Sequence, residues 1–300
     1  MNGTSFQSDI RYWLRQGNTV NHLLFWNIVV FVVLGLLYLI AYFGGPGTIF
    51  SFTFDQLVLH SELGTFIRKP WGLVTYMFTH LNIFHIFFNM LNLYWFGNLF
   101  RTFLGNKRIL PLYLLGGIAG GLLYILTFYI LMPAGVGLPL LGASASVMCL
   151  LVACATLTPN YEIGLLLLGS VRLKWLALAV IVLDLISIPQ GNMGGMIAHL
   201  GGAALGFIYI KLLKNGADLC QPLIWVFDAL SGGRNGSTVS AAPKSRRTSF
   251  KPKKSPLKVV KKVEENRQSR LDQLLDKINE KGISSLSPEE KAWLDKHSRD

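Results

Sequence analysis

Charge is scarce in this chain. Only 15% of its 300 residues are Asp, Glu, Lys or Arg and 51% are apolar, against roughly 25% charged in an ordinary soluble domain, so a water-soluble globular fold is excluded for most of its length. The scarcity is uneven: residues 1–214 hold 11 Lys/Arg and 5 Asp/Glu, and residues 215–300 hold 17 and 11. The net charge of +12 would suggest nucleic acid in a soluble protein. Here the basic residues sit at the ends of apolar runs and in the tail, which points to membrane orientation and anionic lipid headgroups instead. Cysteine is scarce too. Cys149, Cys154 and Cys220 lie in or beside apolar runs, a pattern that offers neither a disulfide framework nor a metal site. A cleavable leader is not expected, because residues 1–22 are polar and the first apolar run is long enough to remain as a span.

What is present is a series of long apolar runs. A membrane helix needs about 20 mostly apolar residues, and six stretches qualify, near 23–43, 73–97, 109–132, 142–158, 173–189 and 194–213. The expected fold class is therefore an all-α polytopic membrane protein. The expected domains are a cytoplasmic segment 1–22, a six-helix membrane domain 23–213, a basic linker 214–262 and a small cytoplasmic helical hairpin 263–300. Arg11, Arg15, Arg101, Lys107, Arg108, Arg172, Lys174, Lys211 and Lys214 all fall at one set of helix ends. This bias places both termini in the cytoplasm and makes helices 2, 4 and 6 parallel. Residues 234–262 carry ten Lys/Arg and no acid, the composition of an unstructured segment held near an anionic leaflet. Beyond it, Leu271, Leu274, Leu275 and Ile278 repeat at helical spacing up to Gly282, and Ser287-Pro-Glu-Glu290 reads as a capping box.

Polar residues inside a span are costly and suggest function. Four stand out on helices 2, 4 and 6: His85, Asn89, Ser144 and His199. Ser144 and His199 lie near the outer starts of two parallel helices and can meet at one depth. A serine hydroxyl becomes a competent nucleophile when a neighbouring imidazole accepts its proton. A serine in a membrane helix is also a common packing residue, so the pair carries more weight than Ser144 alone. Ala198, Gly202 and Gly206 recur every fourth residue, with Gly201 beside them, and Gly142 and Ala143 precede Ser144. Such small residues let helix backbones approach closely. His85 and Asn89 are four apart and share a helix face, where their N–H groups could serve a developing oxyanion. Asn92, one turn on, reads as an interhelical hydrogen bond. Asp184 is an intramembrane acid that could orient a base, but its position suggests the outer end of helix 5, facing water.

Together these motifs resemble the rhomboid family of intramembrane serine proteases over residues 22–214. His85-Ile-Phe-Phe-Asn89 is similar to the family's HxxxN, Gly142-Ala-Ser144-Ala145 to its GxSG, and Ala198-His199-Leu-Gly201-Gly202 with Gly206 to its AHxGGxxxG. The resemblance implies a six-helix rhomboid-like bundle in which Ser144 is the nucleophile and His199 the general base. It also implies oxyanion stabilisation by His85, Asn89 and the Ser144 backbone. The activity it implies is cleavage of transmembrane segments of other proteins, without metal or cofactor. The short loops and the lack of a transit peptide point to a bacterial inner membrane. Ala145 stands where the family usually has glycine, and Pro70-Trp71-Gly72 where many relatives have a Trp-Arg pair. The alternative class is a catalytically inactive relative that binds membrane proteins. A transporter would need more buried charge than Asp184 or matched repeats.

Overall fold

A computed structural model of the chain describes residues 6–15, 17–131, 139–165, 169–187, 192–230, 273–274, 276–278 and 285–297. The basic linker, the Gly/Pro-rich run before residue 139, and Leu271, Leu275 and Gly282 of the expected hairpin lie outside the described residues. The chain divides into two compact units, Met1–Gly236 and Ser237–Asp300.

Among its described residues the first unit is mainly helical, with one small hairpin. Helix α1 (Phe6–Arg15) precedes α2 (Thr19–Tyr42), which starts where the Asn18 side chain accepts a hydrogen bond from Val20 N–H. Short helices α3 (Gly47–Leu57), α4 (Leu63–Arg68) and α5 (Gly72–Thr75) then run into a 3-10 turn, Tyr76–Phe78. Four helices follow: α6 (Ile83–Leu104), α7 (Ile109–Leu131), α8 (Ser144–Leu157) and, after an antiparallel hairpin of β1 (Glu162–Leu165) and β2 (Gly169–Arg172), α9 (Leu173–Ser187). Helices α10 (Met193–Lys214) and α11 (Gln221–Leu230) complete the unit.

Among the described residues, α2, α7 with its preceding turn (106–131) and α10 are long and apolar enough to cross a membrane unaided. Their outer surfaces are apolar: Val32, Val33, Leu36 and Leu39 on α2 and Leu122, Leu126, Ile130 and Leu131 on α7 are exposed, which lipid tolerates and water does not. The molecule is an all-α polytopic membrane protein. Helix α8 has only 14 residues, and every one from Ala145 to Ala155 is buried. Its small Ala, Ser and Cys side chains let α6, α7 and α10 pack around it, so it forms the axis of the bundle.

The second span differs from expectation. The sequence places the span near 73–97 and assigns His80 and Asn82 to the turn that starts its helix. The chain does leave the helical path at Thr79–Asn82, but the long helix runs from Ile83 to Leu104, so residues 73–78 stand before it and its end lies beyond 97. Local polar groups cause the break. The Asn82 side chain caps α6 by accepting from Phe84 N–H and His85 N–H, and His80 Nε2 accepts from Ala143 N–H in a remote loop. As a result Arg101, expected in the following loop, lies in the last turn of α6, which Gly105 ends at φ +84°. The β1–β2 hairpin has no signature in the sequence, because four-residue strands give no periodic signal. Glu162 holds it by accepting from Ser170 Oγ at 2.9 Å and Arg172 Nε at 3.3 Å.

In the second unit, α12 (Pro288–His297) opens with a reciprocal capping box. Glu290 N–H donates to Ser287 Oγ at 3.2 Å, and Ser287 N–H donates to Glu290 Oε2 at 2.7 Å. Lys277 Nζ donates to both Glu290 carboxylate oxygens at 2.9 Å, which holds that carboxyl below its usual pKa.

Candidate active site

Ser144 is the first residue of α8, and the segment leading to it is fixed at three points. Leu140 exchanges two backbone hydrogen bonds with Leu59, at 2.8 and 3.0 Å. Gly142 N–H donates to Tyr76 O at 2.9 Å, and Ala143 N–H donates to His80 Nε2 at 3.3 Å. Gly142 adopts φ +111°, a conformation open to glycine and strained for other residues. The chain therefore delivers Ser144 to a helix N-terminus whose first N–H groups have no intrahelical acceptor and carry the positive end of the helix dipole.

His199 occupies the second turn of α10, a helix capped by Asn192, whose Oδ1 accepts from Gly195 N–H at 3.3 Å. Ser144, His199, His85 and Asn89 all line one cavity of about 900 Å³. Among the described residues Ser144 and His199 form no direct hydrogen bond, and both are partly exposed to the cavity. The His85 ring lies against Gly142, where an added Cβ would meet His85 Cε1 at 2.6 Å and Nε2 at 2.7 Å. Asn89 is buried and spends one amide hydrogen on His85 O at 2.9 Å, leaving the second for another acceptor. Asn92, expected to bridge helices, instead donates to Phe88 O of its own helix at 2.8 Å. The cavity is flanked by Phe84, Phe88 and Trp95 of α6 on one side and Leu176 and Val180 of α9 on the other.

Glycines set the helix spacing around this cavity. A Cβ at Gly202 would overlap the Ala145 carbonyl, one at Gly206 the Cys149 carbonyl, and one at Gly201 would lie 2.8 Å from both Ala119 O and Gly120 Cα. Helix α10 is thus wedged against α8 along Gly202–Gly206 and against α7 at Gly201. Ala145 is buried, and its methyl points at Gly120 of α7, where a Cβ would approach it to 2.7 Å. The extra methyl is housed by a glycine on α7, away from the cavity wall.

Asp184 is where the structure corrects the sequence reading. Its carboxylate does not face bulk water at the end of α9. Oδ2 lies 2.9 Å from His199 Nδ1, with the two side chains 14% and 17% exposed, and Asp184 lines the same cavity. Its partner lies one helix further along the chain, so helical spacing gives no sign of the contact. Ser146 points elsewhere: its Oγ is buried with no hydrogen-bond partner among the described residues.

A family model described as the Rhomboid domain matches residues 68–215, a span containing every site residue above. Residues 68–215 belong to the rhomboid family. Similar rhomboid proteins include RHOMBOID-like protein 12, mitochondrial, of Arabidopsis thaliana, 32% identical over 157 residues, covering 48% of this chain and 46% of that one. Presenilin-associated rhomboid-like protein A, mitochondrial, of Danio rerio is 34% identical over 139 residues, or 44% of this chain and 35% of its own. Presenilin-associated rhomboid-like protein, mitochondrial, of Mus musculus is 29% identical over 171 residues, or 53% and 43%. The chain thus spans less than half the length of these rhomboid relatives. A second model, for a family of unknown function, matches residues 260–300, outside the rhomboid domain.

Proposed function

We propose that the chain is an intramembrane serine endopeptidase that cleaves transmembrane segments of other membrane proteins. The observation that carries the reading is the cavity of about 900 Å³ that a hydroxyl at a helix N-terminus, an imidazole and a His–Asn pair share within an apolar bundle. In the proposed reaction Ser144 Oγ bonds to the scissile carbonyl carbon while His199 takes the hydroxyl proton. The carbonyl oxygen becomes an oxyanion facing Ser144 N–H, the His85 ring and the free Asn89 amide hydrogen, donors whose value lies in being oriented before charge develops. His199 then returns the proton to the leaving amine as the C–N bond breaks. Water attacks the acyl carbon and gives a proton to His199, which passes it to Ser144 Oγ as the acyl C–O bond breaks, restoring the hydroxyl and the neutral imidazole. The Ser144–His199 contact closes when substrate is bound, as is common for catalytic hydrogen bonds that are open without substrate. These steps need no metal or organic cofactor.

The substrates proposed are transmembrane helices with small or helix-breaking residues near their outer ends, because an extended segment exposes its carbonyls. The Lys/Arg bias of the loops supports both termini on the cytoplasmic side, with residues 234–262 attracted to anionic headgroups. The host membrane proposed from the short loops is a bacterial inner membrane, whereas the similar rhomboid proteins are named as mitochondrial. Nucleic acid is not needed to account for the basic charge.

A fluorophosphonate, which reacts with activated serines, tests the reading without knowledge of the natural substrate. We expect the purified protein to be labelled on Ser144 alone, and labelling to vanish in His199→Ala. A protein that takes no label and cleaves no model transmembrane substrate would instead be a rhomboid that binds membrane proteins without cutting them.

A further inference from the structure

We infer that Asp184 is a positioning residue for the His199 base, so that the working unit is Ser144–His199–Asp184 rather than a Ser–His pair; the inference rests on the peptidase reading above. Among the described residues of α2 and α6 to α10, Asp184 is the one acidic side chain. A carboxylate in a membrane helix is expensive and persists when it is paired. Its pairing here is specific. The 2.9 Å contact is to Nδ1 of His199, and an ionised carboxylate only accepts hydrogen bonds, so Nδ1 carries the hydrogen and Nε2 keeps its lone pair. Nε2 is the atom that must accept the proton of Ser144 Oγ. A tether serving only to hold α9 against α10 would be satisfied by either ring nitrogen and by any polar group. A base needs this tautomer, a ring prevented from turning, and a negative charge beside the imidazolium that forms when Ser144 gives up its proton.

The position of Asp184 in the fold fits the same role. It lines the cavity together with Ser144, His199, His85 and Asn89, while its neighbours Leu183, Leu185 and Ile186 on α9 are exposed. Among the described residues, the other titratable ring on the cavity is His85 of α6, which lies against Gly142. Asp184 is therefore the group that fixes the far side of the base.

The test compares wild type, Asp184→Asn and Asp184→Glu in proteoliposomes on a model transmembrane substrate. It reads kcat and KM separately, the thermal midpoint, and the His199 tautomer by 15N NMR. Asparagine keeps the size but can present an N–H to Nδ1, favouring the wrong tautomer. We expect it to lower kcat by about 10²–10⁴-fold, with KM and midpoint close to wild type and partial recovery in Asp184→Glu. Wild-type His199 should carry its hydrogen on Nδ1. The inference is overturned by an asparagine variant with wild-type kcat, by a wild-type hydrogen on Nε2, or by a rate that falls only as the midpoint falls with no recovery by glutamate. Wild type that neither cleaves nor takes a phosphonate would sink the peptidase reading itself, and the role of Asp184 with it. That result is distinct from an active wild type indifferent to Asp184.

Discussion

Gly142 shows how much of the site depends on single atoms. It combines φ +111° with a histidine ring where a Cβ would sit, so Gly142→Ala strains the turn and displaces His85 together. We expect this variant to lose both thermal stability and phosphonate labelling. Asn89→Ala should behave differently, because it removes one donor while α6 keeps its backbone. Its kcat should fall about 10²–10³-fold with KM little changed, as measured by initial rates in proteoliposomes, and the thermal midpoint should stay near wild type. At this scale the sequence was informative where chemistry forces a residue type. The residues proposed as nucleophile, base and N–H donors stand out inside apolar runs because polar groups are costly there. It was uninformative where a role depends on a partner far along the chain. His80 is committed to Ala143 N–H, 63 residues away, and Asp184 reaches His199 across the α9–α10 connection.

Among the elements, α8 and α10 fix the geometry through the residues they lack. Gly120 is a direct test, since a Cβ there would lie 2.6 Å from Ala198 O and 2.7 Å from the Ala145 Cβ. Overpacking of this kind costs about 1–3 kcal/mol, which a helix-propensity gain of about 1 kcal/mol offsets in part. Gly120→Ala should therefore lower the unfolding midpoint in detergent, and Ala145→Gly in the same chain should restore part of the loss. Full additivity of the two changes would refute the packing described. The glycine spacing of α10 was legible because close backbone approach demands small residues at fixed intervals. The turn at His80 and Asn82 was legible from the polar residues themselves, and the Asn82 cap and the His80 bond to Ala143 hold it. The run of α6 on to Leu104 was not, because Asn98 and Arg101 interrupt the apolar pattern there.

Across the whole molecule, charge separates two environments. The apolar bundle holds the site, and the basic segment 234–262 and the unit matched to a family of unknown function follow it. Deleting residues 231–300 should leave kcat on a model transmembrane substrate within about threefold of wild type, since every residue proposed for the chemistry precedes residue 215. The deletion should alter binding to anionic vesicles in a salt-dependent way, which co-sedimentation at low and high salt would read. A well-folded truncated protein without activity would show that the tail takes part in the chemistry. The central claim is tested most directly by cleavage of a model transmembrane substrate by purified protein in liposomes, with wild type, Ser144→Ala and His199→Ala side by side. Cleavage by wild type that both substitutions abolish, at unchanged thermal midpoint, is the predicted result. Cleavage that persists in Ser144→Ala would contradict the account.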